Sequence, residues 1–165
     1  MENAQQVFEK ICETFGEIGF EPDVVEKGRI GCVRLRGDAI PLDLYFRVRA
    51  RMSLMELMIH VPLTVSEESR AKVAELIVRA NCAWPLGRLD LKMENGLVVW
   101  HGSMPIEDGT ITTRQIEHLL SAGVGMVHRY FRAINRLIYA DDLSPAEAAA
   151  EVEMAEPRGN KCESR

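Results

Sequence analysis

Along the first segment, from about Asn3 to Gly19, the large apolar residues are Val7, Ile11, Phe15 and Ile18. Spacings of four, four and three set them on one stripe of a helix, which Gly16 and Gly19 weaken and end. From Arg29 to Leu63 the period falls to two. Ile40, Leu42, Leu44, Phe46 and Val48 alternate with Pro41, Asp43, Tyr45, Arg47 and Arg49. Leu57, Ile59 and Val61 alternate with Glu56, Met58 and His60, and a shorter run holds Val33 and Leu35 between Cys32, Arg34 and Arg36. Alternation of this kind belongs to antiparallel strands with one face in a core. Gly37-Asp38 reads as the first turn and the Arg51–Ser53 region as the second.

The helical period returns from about Ser66 to Asn81. Thr64 and Glu67 have capping-box spacing, and Val73, Leu76, Ile77 and Ala80 form the buried stripe. Trp84-Pro85-Leu86-Gly87 then breaks the helix. Asn95-Gly96 stands between Leu89-x-Leu91-x-Met93 and Val98-x-Trp100, which predicts a hairpin closed by a type I′ turn. A long last helix follows. Thr112 and Gln115 can cap it, and Ile116, Leu119, Leu120, Val124, Val127, Phe131, Ile134 and Ile138 carry its stripe to about Tyr139. Gly123 and Gly125 lie inside this helix at a cost of about 1 kcal/mol each against Ala, so both are expected to serve close packing against the sheet.

After Ala140 the pattern changes. Ser144-Pro145 suits a helix start, but the Ala-rich run beyond it offers only Val152 and Met154 as large apolar groups. One exposed helix fading into a disordered end is expected there. The element order α-β-β-β-α-β-β-α predicts an α+β fold: a two-layer sandwich with an antiparallel sheet of about five strands and helices on one face. The domain boundaries are 1–140 for the body and 141–165 for a partly helical or disordered extension.

At 165 residues, 47% apolar and 27% charged, the chain fits one ordinary globular domain. Charge refines this picture. Seven acids and three bases fall in 141–165, a balance of −4 out of the total of −5, so the body stands near −1. An acidic chain with a near-neutral body does not suit sequence-independent nucleic-acid binding. No run approaches the roughly 18 apolar residues that span a bilayer, and the opening residues lack the basic and apolar regions of a signal peptide. Cys12, Cys32, Cys82 and Cys162 are widely scattered, which fits reduced thiols in a cytoplasmic protein.

Several phrases in this order resemble a known family. Val61-Pro62-Leu63 runs into the segment Ser66–Leu76, followed by Arg79-Ala80-Asn81, Leu86-Gly87-Arg88-Leu89-Asp90-Leu91 and Glu94-Asn95-Gly96. Ser103-Met104-Pro105-Ile106 and the long helix ending Arg129-Tyr130-Phe131 complete the set. Together they resemble the YbjN family, bacterial proteins described as sensory transduction regulators, and the element order resembles the fold of type III secretion chaperones. The resemblance covers about residues 3–140. It implies a dimerisable binding module with a chaperone-like fold and carries over no catalytic residues. The acidic extension after Ala140 departs from it.

Candidate chemistry is sparse. His118 and His128 stand ten residues apart on the last helix, nearly three turns, too far to share a metal. His60 and His101 fall on the outward face of the sheet without the third and fourth ligands a metal site wants. Cys32 lies near Arg34, which would favour its thiolate. No P-loop, dinucleotide fingerprint or nucleophile elbow occurs. The expectation is a non-enzyme without cofactor or metal.

The outward sheet face is more informative. Arg34, Arg36, Arg47 and Arg49 lie on it with Tyr45, Met58, Leu97 and Val99. Arg, Tyr and Met are enriched in protein interfaces, although Arg stems also cover apolar neighbours on ordinary solvated faces. The candidate partner-binding residues are Arg34, Tyr45, Arg47, Arg49, Met58 and Val99. They predict a regulatory or chaperone-like module, a homodimer, that holds a segment of a protein partner on this face or on the long helix. The alternative is a sensor of small anions or nucleotides gripped by the same arginines. The charge asymmetry also permits the acidic tail to fold back over the arginine face.

Overall fold

The computed structural model describes residues 2–36, 40–106, 110–140 and 142–155. Helix α1 (Glu2–Glu17) precedes four strands, β1 (Asp23–Glu26), β2 (Ile30–Arg36), β3 (Pro41–Arg49) and β4 (Leu54–Thr64). Helix α2 (Arg70–Ala83), strands β5 (Arg88–Leu91) and β6 (Leu97–Pro105), and helices α3 (Thr113–Tyr139) and α4 (Pro145–Met154) follow. The six strands form one antiparallel sheet in the order β1-β2-β3-β4-β6-β5.

The period-two pattern sorts the side chains as its alternation requires. Leu42, Leu44, Phe46 and Val48 of β3 and Met55, Leu57, Ile59 and Val61 of β4 are buried on the inner face. Against them pack Val7, Phe8, Ile11 and Phe15 of α1, with the Phe8 and Phe15 rings 5.4 and 5.3 Å from that of Phe46. Thr14, fully buried, donates to Thr113 Oγ1 at 3.3 Å and ties α1 to the start of α3. Helix α3 begins in the expected capping box, with Thr112 and Gln115 satisfying each other's backbone N–H. Its buried face runs through Ile116, Leu119, Gly123, Met126, Val127, Tyr130, Ala133, Ile134 and Leu137. That face is rotated from the stripe expected from large residues alone: Gly123 faces the sheet, where a Cβ would crowd Trp100 and Ile59, and Ala133 is buried on the side that α4 adjoins.

The structure departs from the sequence reading in five places. The sheet has six strands rather than about five. Strand β1 was not expected because its four residues do not alternate and all are exposed. The hairpin at Asn95-Gly96 is not a two-residue type I′ turn. Only Gly96 takes a positive φ, +74°, and its N–H donates to Lys92 O at 2.7 Å while Asn95 Oδ1 accepts from Leu97 N at 3.2 Å. The loop thus spans Lys92 to Leu97, and Gly96 O, accepting from Val65 N at 2.8 Å, anchors it to the end of β4.

The Thr64–Glu67 capping box does not form either. Strand β4 runs on to Thr64, a 3₁₀ turn at Glu67–Ser69 intervenes, and α2 starts at Arg70 without a side-chain cap. Of the two glycines in α3, only Gly123 makes a close approach. A Cβ there would stand 2.6 Å from Trp100 Cε3, whereas one on Gly125 would find nothing nearer than Trp84 at 3.8 Å.

Last, α4 is not a lone exposed helix. Its N-terminus carries the expected Ser144-Pro145 start, closed by a Ser144–Glu147 capping box, but Ala148 and Ala149 are buried as the helix packs on α2 and α3. The described part of the tail therefore lies on the helical layer and not over the arginine face. The expected Gly37-Asp38 turn and Cys162 lie outside the described residues.

Candidate functional site: the open face of the sheet

All helix–sheet packing uses the inner face, so among the described residues no helix covers the outer one. Strand register arranges that outer face in rows. Cys32, Tyr45, Met58, His101 and Arg88 lie side by side across β2, β3, β4, β6 and β5. On one side of this row stand Arg34, Asp43, His60, Val99 and Asp90, and on the other Ile30, Arg47, Glu56 and Ser103. Arg49 follows beyond Arg47, opposite Leu54. All six candidate residues, Arg34, Tyr45, Arg47, Arg49, Met58 and Val99, thus share one surface. Leu97 shares it at the end of β6.

The arginines are not free there. Arg47 and Arg49 both donate to Glu56 Oε2 at 2.6 Å, and Glu56 is only 6% exposed. Burial pushes the Glu56 carboxyl up, but the hydrogen bonds from Arg49 and Arg47 outweigh it and hold the group below the usual Glu range. Arg34 donates to Asp43 Oδ1 at 2.9 Å and Arg88 to Asp90 Oδ1 at 3.0 Å. His101 lies between these groups, its Nδ1 3.8 Å from Asp90 Oδ2 and its Nε2 3.7 Å from Glu56 Oε1, both beyond hydrogen-bond reach. Arg34, Arg47 and Arg49, expected to await a ligand, each already face a carboxylate one strand away, and Arg88 pairs with one two residues along.

What remains at the centre is apolar and aromatic. Tyr45 lies directly opposite Met58, and its ring centroid is 5.0 Å from that of His60. Val99, opposite His60 on β6, is 7% exposed although it belongs to the uncovered face. Burial, then the Lys92 charge, lowers the His60 pKa against the opposing pull of Asp43, so the ring favours its neutral form.

Cys32, on the same row, is not the activated thiol that Arg34 suggested. Burial, Asp23 and Asp43 raise its pKa and outweigh Arg34. Cys12 is raised as well, by burial and then by Glu9. Among the described residues no group of three or more His, Cys, Asp or Glu side chains comes together in a way that could hold a metal, and no helix is long and apolar enough to cross a membrane. The face is a rim of paired charges around an apolar strip, with Arg47 and Arg49 sharing one carboxylate, and its chemistry is that of contact.

Asp43, Glu56, Asp90 and His101 were absent from the candidate set. The signal for Asp43 and Glu56 was in the alternation, which put them on the same side as the arginines. Only the register shows that Arg34 meets Asp43 and Arg47 meets Glu56.

A family model described as a "putative bacterial sensory transduction regulator", YbjN, matches residues 8–136. The chain belongs to the YbjN family. The match ends within α3, so α4 lies outside it. Among solved structures the chain is similar to one in the crystal structure of the ExsC–ExsE complex. The TM-score is 0.52 at 16% identity, over 77% of this chain and 92% of that one. A chain in the structure of the HopA1–SchA chaperone–effector complex gives 0.52 at 13% identity, over 78% and 94%. At these identities the likeness is one of fold, and the secretion chaperone-like α+β fold read from the element order is the observed one. A search of curated proteins finds no match.

Proposed function

We propose that this YbjN-family chain is a non-enzymatic, regulatory or chaperone-like module that holds a segment of a protein partner, works as a homodimer in the cytoplasm, and uses residues 1–140 as its binding body. The observation that carries the reading is the uncovered six-stranded face with Tyr45, Met58 and Val99 at its centre. Salt-bridged rims around desolvated apolar centres are the anatomy of protein interfaces. Two structures of similar fold are of complexes, one of them a chaperone with its effector, and this favours a binding role here. The anion-sensor alternative gains no support, because Arg34, Arg47 and Arg49 each already hold a carboxylate of the chain itself.

Affinity capture from the native extract, compared with a Tyr45→Ser/Met58→Ser variant, tests the proposal. This pair removes the apolar strip and leaves the Arg47–Glu56–Arg49 cluster intact. One dominant protein recovered by the wild type and lost by the variant is the expected result. Recovery of the bait alone, under conditions where it is folded, would sink the reading. Light scattering across micromolar concentrations checks the dimer.

A further inference from the structure

The side of α3 turned towards α4 carries a second unusual arrangement. Arg129, Arg132 and Arg136 recur at intervals of three and four and share one helical face. Arg136 donates through Nη1 to Glu151 Oε2 at 2.6 Å and through Nη2 to Asp142 Oδ2 at 2.8 Å. Arg129 reaches Val152 O at 3.4 Å while its guanidinium lies 5.7 Å from the Trp84 ring centroid. Arg132 is exposed and has no ion-pair or hydrogen-bond partner among the described residues.

The segment that meets these arginines is acidic and small. It buries only Ala148 and Ala149, with Val152 half-buried. An open groove of about 520 Å³ runs along the seam of α3 and α4, lined by Arg129, Arg132, Arg136, Leu143, Ala148 and Val152 among others. Helix α4 also packs on α2, but three features limit its hold on α3. Alanine methyls bury little area. The Arg136 pairs are 40–50% exposed on both sides, where ion pairs contribute little. A ten-residue helix is marginal without packing. Helix α4 also lies beyond the residues that the family model matches.

We propose that the surface of α3 and α2 covered by α4 is a docking site for an acidic amphipathic helix of a protein partner, and that α4 occupies it in cis until such a helix displaces it. The charge complementarity is shown by the cis occupant: two carboxylates and a carbonyl meet two of the three arginines, and small side chains face α3. A partner helix with a carboxylate for Arg132 and a larger apolar side chain over the open groove would use a cation that has no partner among the described residues and cover that groove. The proposal rests on the protein-binding reading above and adds a docking point on the side of the molecule away from the open sheet.

The test uses the full chain and a labelled synthetic peptide of residues 142–155 as the probe. In an Asp142→Arg/Glu151→Arg variant the tail meets α3 with like charges, and hydrogen exchange should report loss of α4 protection while the body keeps its own. This opened variant is expected to bind the peptide at least tenfold more tightly than wild type, and adding Arg132→Glu and Arg136→Glu should abolish the gain. Equal binding by wild type and the opened variant, no binding by the opened variant up to millimolar peptide, or indifference to the arginine changes would each overturn the proposal. Wild-type dimers that dissociate on the charge reversal would also overturn it, by assigning the groove to the α4 of a second copy. If the reversed chain fails to fold, Val152→Asp opens the same contact from its apolar side. The capture experiment separates the two ideas: a partner recovered equally by wild type and the opened variant keeps the binding module but removes this groove.

Discussion

Glu56 is the residue on which the open face depends most. A carboxylate that is 6% exposed is tolerable only because Arg47 and Arg49 both reach it. Replacing it with Gln keeps the shape and an acceptor oxygen but removes the negative charge that both arginines face, and the expected cost is about 1.5–3 kcal/mol by urea denaturation. The low end is favoured because Arg49 keeps 40% of its side chain in water. The sign of the pH effect follows from the lowered folded pKa. The contribution is fully present above the ordinary Glu value of 4.5 and fades as pH falls through the lower folded value. Glu56→Gln should therefore flatten the acid limb of the stability curve. His60 is also depressed from its ordinary 6.5, so it stabilises the fold as the neutral ring above that value and loses the contribution as pH drops. Wild type should be less stable at about pH 5 than at about pH 7, and His60→Gln should remove part of that difference.

At the scale of elements, the two glycines of α3 make a paired experiment. Alanine at either position gains about 1 kcal/mol of helix propensity. At 123 the new methyl meets Trp100 Cε3 at 2.6 Å and Ile59 Cδ1 at 2.7 Å, and overpacking of that kind costs about 1–3 kcal/mol. Gly123→Ala should therefore be neutral to destabilising by up to about 2 kcal/mol, and Gly125→Ala should stabilise by about 0.5–1 kcal/mol. Equal thermal shifts from the two would show that Gly123 is not a contact residue. The sequence placed both glycines in one helix but could not separate them, because the difference depends on where Trp100 lies.

The same limit applies across the elements. Alternation showed which residues of β3 and β4 face outward, since side-chain period is a local property. Pairing is not local, so Glu56 and Asp43 looked like incidental polar positions until the register set them against Arg47 and Arg34. Strand β1 was hidden for a related reason: an exposed edge strand has no buried face to leave a pattern.

For the whole molecule, the two candidate surfaces differ in how they use charge, and salt should tell them apart. On the sheet face Arg34 has Asp43 of the same face, and both Arg47 and Arg49 have the single Glu56, so of these pairings only that cluster keeps a positive charge in excess. A partner seated there gains mainly from covering Tyr45 and Met58, which are half-buried beside the already buried Val99, and apolar burial is not weakened by salt. On α3, recognition depends on arginines meeting carboxylates at exposed positions, where screening acts strongly. Binding to the sheet should therefore survive a rise from about 0.1 M to about 0.5 M NaCl with less than a threefold change in Kd, while the 142–155 peptide on the opened variant should weaken about tenfold or more. Titrating the captured partner against the wild type at both salt concentrations assigns its contact. A salt-insensitive partner that is lost with Tyr45→Ser/Met58→Ser belongs to the sheet. A salt-sensitive one that binds the opened variant more tightly belongs to α3. A partner that is both salt-sensitive and lost with the Tyr45/Met58 pair would place the excess charge of the Arg47–Glu56–Arg49 cluster in the contact.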